Sequence, residues 1–308
     1  MSPITRLAAT ATALCGALLL TAACADGKDA PEPPGTSAPS ERASIFDKGV
    51  NIAVKFDQPG FNYKDNRTQK YAGFENDLAN FLDGQLDFPD MSPNDEPSWR
   101  REEVLVKDTA QLVIATYSIT EERERKIDFA GPYFETRQGL LVQADDTSIT
   151  SRESTAGKLV CTVRGSVSAP DSSTSDTGDQ LAELLPEARI NDTRSNYSEC
   201  VDLLRKGDID AVWTDQIVLH GFAERHDDVR VVEGLEIGSP QLYGIGIRDG
   251  REEDCERIAE ALREFLASSD WRDSFESHFP RLAEEDEQFE QHYKPDPSLV
   301  DDYSCSDD

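Results

Sequence analysis

The side chains able to do chemistry are sparse, and their spacing excludes most enzymes before it suggests anything. Four histidines, His220, His226, His278 and His292, form no H-E-x-x-H pair, and the cysteines lack the spacing of a metal site. Neither a Walker loop nor a G-x-S-x-G elbow is present. No catalytic residue, metal or cofactor is therefore expected. What remains suits the holding of a charged small molecule. Gly165-Ser166-Val167-Ser168 follows an apolar run and could cradle an anion through backbone N–H groups, although the same residues make an ordinary turn. Arg123 lies in a polar helix and, taken alone, reads as an exposed charge paired with Glu121 or Glu122. Asp215 follows an apolar strand and, taken alone, reads as a helix N-cap.

These residues must be positioned by alternating strands and helices. Val50–Lys55 reads as a buried strand, and Phe74, Leu78, Phe81 and Leu82 recur at helical spacing behind Gly73. Gln111–Ala115 is a second apolar run, after which Thr120 caps a helix over Glu121–Lys126 with an acidic first turn. Strands follow at Leu159–Val163, Ile209–Trp213 and Tyr243–Ile247, with helices at Tyr197–Arg205, Glu252–Ala267 and Trp271–Phe279. The alternation predicts an α/β protein with mainly parallel sheets. No internal repeat is visible.

The 308 residues carry 61 acids against 31 bases, a net charge of −30, which opposes binding to nucleic acid or anionic lipid. Arg6 precedes an apolar or small run from Leu7 to Leu20, too short for a membrane span and ending in small residues, which is the layout of an export signal. Leu20-Thr21-Ala22-Ala23-Cys24 resembles a bacterial lipobox, so residues 1–23 read as a lipoprotein signal peptide and Cys24 as the lipidated thiol. Residues 24–43, rich in Pro, Gly and Ser, read as a tether. Cys161, Cys200, Cys255 and Cys305 then remain, an even set expected to form two disulfides outside the cytoplasm. Three pairings are open, and position along the chain favours Cys161–Cys200 with Cys255–Cys305. Residues 284–308 form an acidic tail, punctuated by Pro295 and Pro297, that would be floppy unless Cys305 staples it down.

The stretch Ile114-Ala115-Thr116-Tyr117-Ser118-Ile119-Thr120-Glu121-Glu122-Arg123, continuing through Lys126-Ile127-Asp128-Phe129-Ala130-Gly131-Pro132-Tyr133, carries a resemblance. It is similar to the extracytoplasmic solute-binding proteins, family 3, of polar amino acid ABC importers. Val54-Lys55-Phe56-Asp57-Gln58-Pro59-Gly60, Gly73-Phe74-Glu75, Gly207-Asp208-Ile209-Asp210-Ala211-Val212 and Tyr243-Gly244-Ile245-Gly246-Ile247 agree with it in order, over about residues 45–280. The wording around Lys55–Gly60 and Thr116–Thr120 looks most like the glutamate-binding lipoprotein branch. The resemblance implies a two-lobed α/β fold of the type II periplasmic-binding-protein kind, with two hinge strands and the ligand between the lobes. Lobe one would comprise residues 44–143 and 241–283, and lobe two 144–240. Each favoured disulfide then avoids crossing between the lobes, which supports the pairing.

The resemblance also implies roles. Arg123 would take a ligand α-carboxylate as a bidentate partner, and Ser118 would add its hydroxyl and N–H. Thr116 would meet the ligand amine through its carbonyl, Ser166 and Val167 would close from lobe two with backbone N–H groups, and Asp215 would grip the ammonium. Lys55 stands where relatives that bind cationic or amide side chains often carry an acid. Ser98 and Arg101 form an S-x-x-R pair like that of relatives selective for glutamate and aspartate, with Arg100 leaving the register open by one. Tyr197 falls where some acidic-ligand relatives have histidine. A monomeric receptor is implied that captures an acidic amino acid outside the cell membrane, to which its lipid anchors it, and delivers it to ABC permease subunits. A sensor signalling to a membrane regulator, or a receptor for another polar amino acid such as glutamine, is the alternative. Charges beyond a Debye length of about 8 Å are screened, so the acidic surface does not forbid an anionic ligand. Three departures from the family pattern stand out: the prolines of Phe88–Pro97, the missing glycine turn at Val106–Thr109, and a Ser/Thr/Asp run at Asp171–Asp179.

Overall fold

A computed structural model describes residues 43–170 and 183–305. The signal peptide, Cys24, the tether and the Asp171–Asp179 run lie outside the described residues. Among the described residues no helix is long and apolar enough to cross a membrane.

Twelve strands are named in chain order: β1 Val50–Val54, β2 Asp57–Gln58, β3 Asn62–Lys64, β4 Tyr71–Ala72, β5 Met91–Asp95, β6 Leu112–Ile114, β7 Asp128–Gln143, β8 Leu159–Val163, β9 Arg189–Arg194, β10 Ala211–Asp215, β11 Val229–Val231 and β12 Ile237–Ile247. The main sheet runs β5-β1-β6-β12-β7-β10-β8-β9, with β11 also on β7, while β2, β3 and β4 form a small antiparallel sheet. Its two ends mirror each other. At one end β5, β1 and β6 are parallel, and at the other β10, β8 and β9 are parallel. Between them β7 and β12 run antiparallel.

Sixteen residues of extended chain in β7 span roughly 50 Å, more than one lobe needs. Its first part pairs with β12, and from Gln138 to Leu141 it pairs with β10. The change of partner at about Thr136–Gln138, opposite Ile237–Gln241 of β12, is where both strands pass between lobes. Only Tyr243–Ile247 of this pair reads as strand in the sequence. Gly131 and Pro132, followed by Glu135-Thr136-Arg137, break the apolar run of β7, yet pairing on both sides supplies its backbone bonds.

Proline did not abolish the strand expected near Phe88–Pro97. Pro93 sits in β5 opposite Ile52, and β5 is the edge of the sheet, where a residue without an N–H is tolerated. At Val106–Thr109 the left-handed position that a glycine would occupy is taken by Asp108, with φ +57°.

Ten helices are named: α1 Phe74–Leu86, α2 Arg101–Val106, α3 Glu121–Glu124, α4 Tyr197–Lys206, α5 Gln216–Arg225, α6 Glu252–Ala267, α7 Asp270–His278, α8 Pro280–Glu285, α9 Phe289–Tyr293 and α10 Leu299–Tyr303. The acidic C-terminal segment is thus folded along much of its length. Phe289 stacks on Phe275 at 4.5 Å, the Cys305 N–H donates to the Phe129 carbonyl at 2.8 Å, and Val300 is fully buried. Phe289 and Tyr293 belong to a cluster with Phe134, Trp271 and Phe275, whose burial offsets the cost of ordering so acidic a stretch.

Disulfides join Cys161 to Cys200 and Cys255 to Cys305, each with Cα atoms 5.7 Å apart. The second encloses 50 residues of sequence separation, for which chain entropy contributes at most about 4 kcal/mol. A Cys255→Ser/Cys305→Ser double variant is expected to lower the urea midpoint markedly, with the near-ultraviolet signal of the aromatic cluster lost first. An unchanged midpoint would show that packing alone holds the C-terminal segment.

Candidate ligand-binding site

A narrow polar cleft lies between the lobes. From the first lobe it is lined by Gln58, Ser98, Arg101, Thr116, Ser118 and Arg123, and from the second by Ser166, Val167, Tyr197, Thr214 and Asp215. Nine of the ten residues singled out from the sequence are therefore on its wall. Lys55 is not.

Arg123 is aimed inward by the one-turn helix α3, whose N-cap Thr120 accepts the Arg123 N–H at 3.4 Å. Its guanidinium is 4% exposed, and its ionic partner is Glu102 at 3.3 Å rather than Glu121 or Glu122, which pair with Arg125 and Lys126. It donates to the Ser118 carbonyl at 2.6 Å and to the Gly165 carbonyl at 3.3 Å. Arg101, at the start of α2, donates to the carbonyls of Ser98, Ala115, Thr116 and Gly165 at 3.0–3.2 Å. Arg100 points elsewhere, 39% exposed and paired with Glu96. Both inner guanidinium groups also lie over the Tyr117 ring, at 4.4 and 4.7 Å from its centroid. Burial, together with the repulsion of Arg123, draws the Arg101 pKa down.

The bonding is uneven. Arg101 makes four hydrogen bonds and Arg123 two, with Glu102 3.3 Å from the Arg123 Nε, so Arg123 keeps more donor capacity on its terminal nitrogens for a carboxylate.

Thr116 holds a left-handed conformation, φ +44°, which is costly for a β-branched residue. Glu75 holds it there by accepting its N–H, along with the Tyr133 hydroxyl and the Asn62 amide. Burial pushes the Glu75 carboxyl up, and those three donors oppose the rise. The Thr116 carbonyl, expected to face a ligand amine, accepts from Arg101 at 3.2 Å, and its hydroxyl meets Gln58 at 3.1 Å.

Asp215 ends β10 at the N-cap position of α5 but makes no capping bond with its side chain. Its Oδ2 accepts from the Tyr243 hydroxyl at 2.5 Å, and its buried Oδ1 has no hydrogen-bond partner among the described residues. Burial raises its pKa to about 6 against the pull of Tyr243, Gln138 and the two arginines. A buried oxygen of this kind calls for a donor, and an ammonium group supplies one. Beside it Tyr197 accepts from the Thr214 hydroxyl at 2.7 Å, and burial pushes the phenol up to about 12, so it stays neutral.

The turn after β8 corrects one expectation. The Ser166 N–H donates to the Val163 carbonyl at 3.2 Å, and so does its hydroxyl at 2.8 Å, so this N–H is engaged within the turn. What the turn offers to the arginines is the Gly165 carbonyl. Gly165 has φ +75°, and a Cβ there would lie 2.5 Å from Trp99 Cα of the first lobe, so both conformation and close approach require glycine.

Lys55 is fully buried behind the wall, its Nζ 3.4 Å from Ser98 Oγ and 3.8 Å from Asp57 Oδ1. Burial lowers its pKa, although Asp57 and Glu75 favour the charged form. Gln58, Thr214 and the supporting Glu75 carried no assignment from sequence. The first two are neutral and give no charge signal, although Thr214 immediately precedes Asp215 and Gln58 lies within the Val54–Gly60 segment.

Two α/β lobes joined by two long strands, with a polar cleft where they meet, define a receptor that binds a small solute between its lobes. The profile of the bacterial extracellular solute-binding proteins, family 3, matches residues 50–281, and the chain belongs to that family. It is similar to the glutamate-binding protein GluB of Corynebacterium efficiens, 31% identical over 96% of this chain and 97% of the relative. GluB of Corynebacterium glutamicum is 32% identical over 73% of this chain and 76% of its own length. Among solved structures, an ancestral arginine-binding protein bound to arginine aligns with a TM-score of 0.66 and 28% identity, covering 76% of this chain and 99% of that one. The family is one of receptors, not enzymes.

An ammonium ligand needs Asp215 ionised. Below about pH 6 the free carboxyl is protonated, so binding must first release that proton and affinity falls with pH. Calorimetry at pH 5.0 is expected to give roughly tenfold weaker binding of an α-amino acid than at pH 7.5. Equal affinity at the two values would remove Asp215 from ammonium binding.

Proposed function

We propose that the chain is the lipid-anchored receptor of an ABC importer for acidic amino acids, closing around glutamate or aspartate outside the cell membrane and presenting it to a permease. The observation that carries this reading is the charge pattern around the cleft. Arg123 and Arg101 on the wall, with buried Lys55 behind Ser98, stand across the cleft from Asp215, whose Oδ1 has no hydrogen-bond partner among the described residues. Two carboxylates and one ammonium are the complement of that set. The two GluB relatives agree with it.

Arg123 takes the α-carboxylate and Asp215 the ammonium. Ser118, Thr116 and the second-lobe turn complete the contact, and the Ser98, Arg101 and Lys55 side receives the side-chain carboxylate. A ligand touching both lobes stabilises the closed form by its differential affinity, and no bond is made or broken. The lipobox-like Leu20–Cys24 segment supports attachment through Cys24.

Equilibrium dialysis with labelled glutamate and glutamine tests the assignment. Arg123→Ala is expected to abolish binding of both. Lys55→Met is expected to weaken glutamate by roughly tenfold, because the cation behind Ser98 attracts an anion across the wall without touching it, while glutamine changes little. Normal glutamate binding by Arg123→Ala would overturn the cleft assignment, and an unchanged glutamate-to-glutamine ratio in Lys55→Met would overturn the acidic-ligand reading.

A further inference from the structure

We propose that Asp57 is a positioning residue that ties the cation of the side-chain pocket to closure of the lobes. The inference rests on the acidic-ligand reading above. Asp57 is 3% exposed and belongs to the first lobe, where its Oδ1 lies 3.8 Å from Lys55 Nζ and has no hydrogen-bond partner among the described residues. Its Oδ2 reaches across to the second lobe and accepts the Ser198 N–H at 3.0 Å, while the Ser198 hydroxyl donates to the Asp57 carbonyl at 3.3 Å.

Ser198 stands in the first turn of α4, whose N-cap Asn196 already accepts the Glu199 N–H at 3.1 Å. Asp57 therefore satisfies another orphan donor of that turn, at the positive end of the helix dipole, and does so from the opposite lobe. Tyr197, the neighbour of Ser198, lines the cleft. A single carboxylate is thus divided between the helix and Lys55. Through Oδ1 the carboxylate favours the charged form of Lys55, and through Oδ2 it holds α4 against the first lobe, so the cation behind the pocket and the closed arrangement depend on one side chain.

The charged groups facing Lys55 are Asp57 and Glu75, which hold its proton, and Arg101, which repels it. Lys55 grips a carboxylate only when protonated, so glutamate affinity is full below its pKa and lost as pH rises through it. Asp57→Asn keeps an oxygen for the Ser198 N–H but removes the charge.

The test is calorimetry with glutamate and glutamine from pH 7 to 10 on wild type, Asp57→Asn and Asp57→Glu. Asp57→Asn is expected to bind glutamate about tenfold more weakly at pH 7.5 and to lose it about one pH unit earlier, with glutamine changed less than about twofold. Asp57→Glu is expected to restore the wild-type limb. The ligand amine titrates equally against all three proteins, so the difference between them is the readout. Wild-type affinity and an unshifted limb in Asp57→Asn would overturn the coupling while leaving the acidic-ligand reading intact. No glutamate binding by wild type would overturn both. Should Asp57→Asn fail to fold, Asp57→Glu decides: retention of the limb supports the proposal, and its loss despite a retained charge overturns it.

Discussion

Two guanidinium groups from one lobe converge on a single backbone carbonyl, Gly165, of the other, and they do so largely out of contact with water. Buried cations on this scale are tolerated only when acceptors surround them. The Arg101 fork collects four carbonyls from three separate segments, which is why the Ser98 turn, the Ala115–Thr116 segment and the Gly165 turn must all be where they are. The strained Thr116 and the buried Glu75 that holds it follow from the same need. Arg123 makes two hydrogen bonds and an ion pair with Glu102, fewer hydrogen bonds than Arg101, and for that reason the proposed function gives it the ligand carboxylate.

The fold serves this convergence through two strands. β7 and β12 belong to both lobes, so the parallel strands at each end of the sheet hang from the same antiparallel pair. Charge sums mislead at this scale. The chain carries −30, yet around the cleft Arg101, Arg123 and Lys55 are interleaved with Asp57, Glu75, Glu102 and Asp215, and these buried or half-buried groups act on one another directly while surface acids act through water and salt.

Much of the fold was legible in the sequence because α6, β1 and β8 announce themselves by uninterrupted periodicity. The long β7 was not, since Gly131-Pro132 and Glu135-Thr136-Arg137 disguise a strand whose pairing comes from both lobes. Site residues divide along a similar line. Arg123 and Asp215 look like a surface charge and a helix cap when taken singly, and only the order of motifs around them gave them roles. Burial and an unused capping position are what distinguish them in three dimensions. Ser166 shows the limit of transferring roles, because its N–H closes its own turn. Gln58 and Thr214 lack any sequence signal of charge or spacing, and only their position on the wall brings them in.

The central claim is that the cleft is built for two carboxylates and one ammonium. Calorimetric titration of the ligand-free unit from about residue 43 onward, against glutamate, aspartate, glutamine, asparagine, arginine and histidine, tests it most directly. The account predicts tight binding of glutamate or aspartate and weak or no binding of the other four. Preferential binding of an amide or a basic amino acid would contradict it, leaving the receptor fold in place but removing the cationic pocket from the explanation of what it carries.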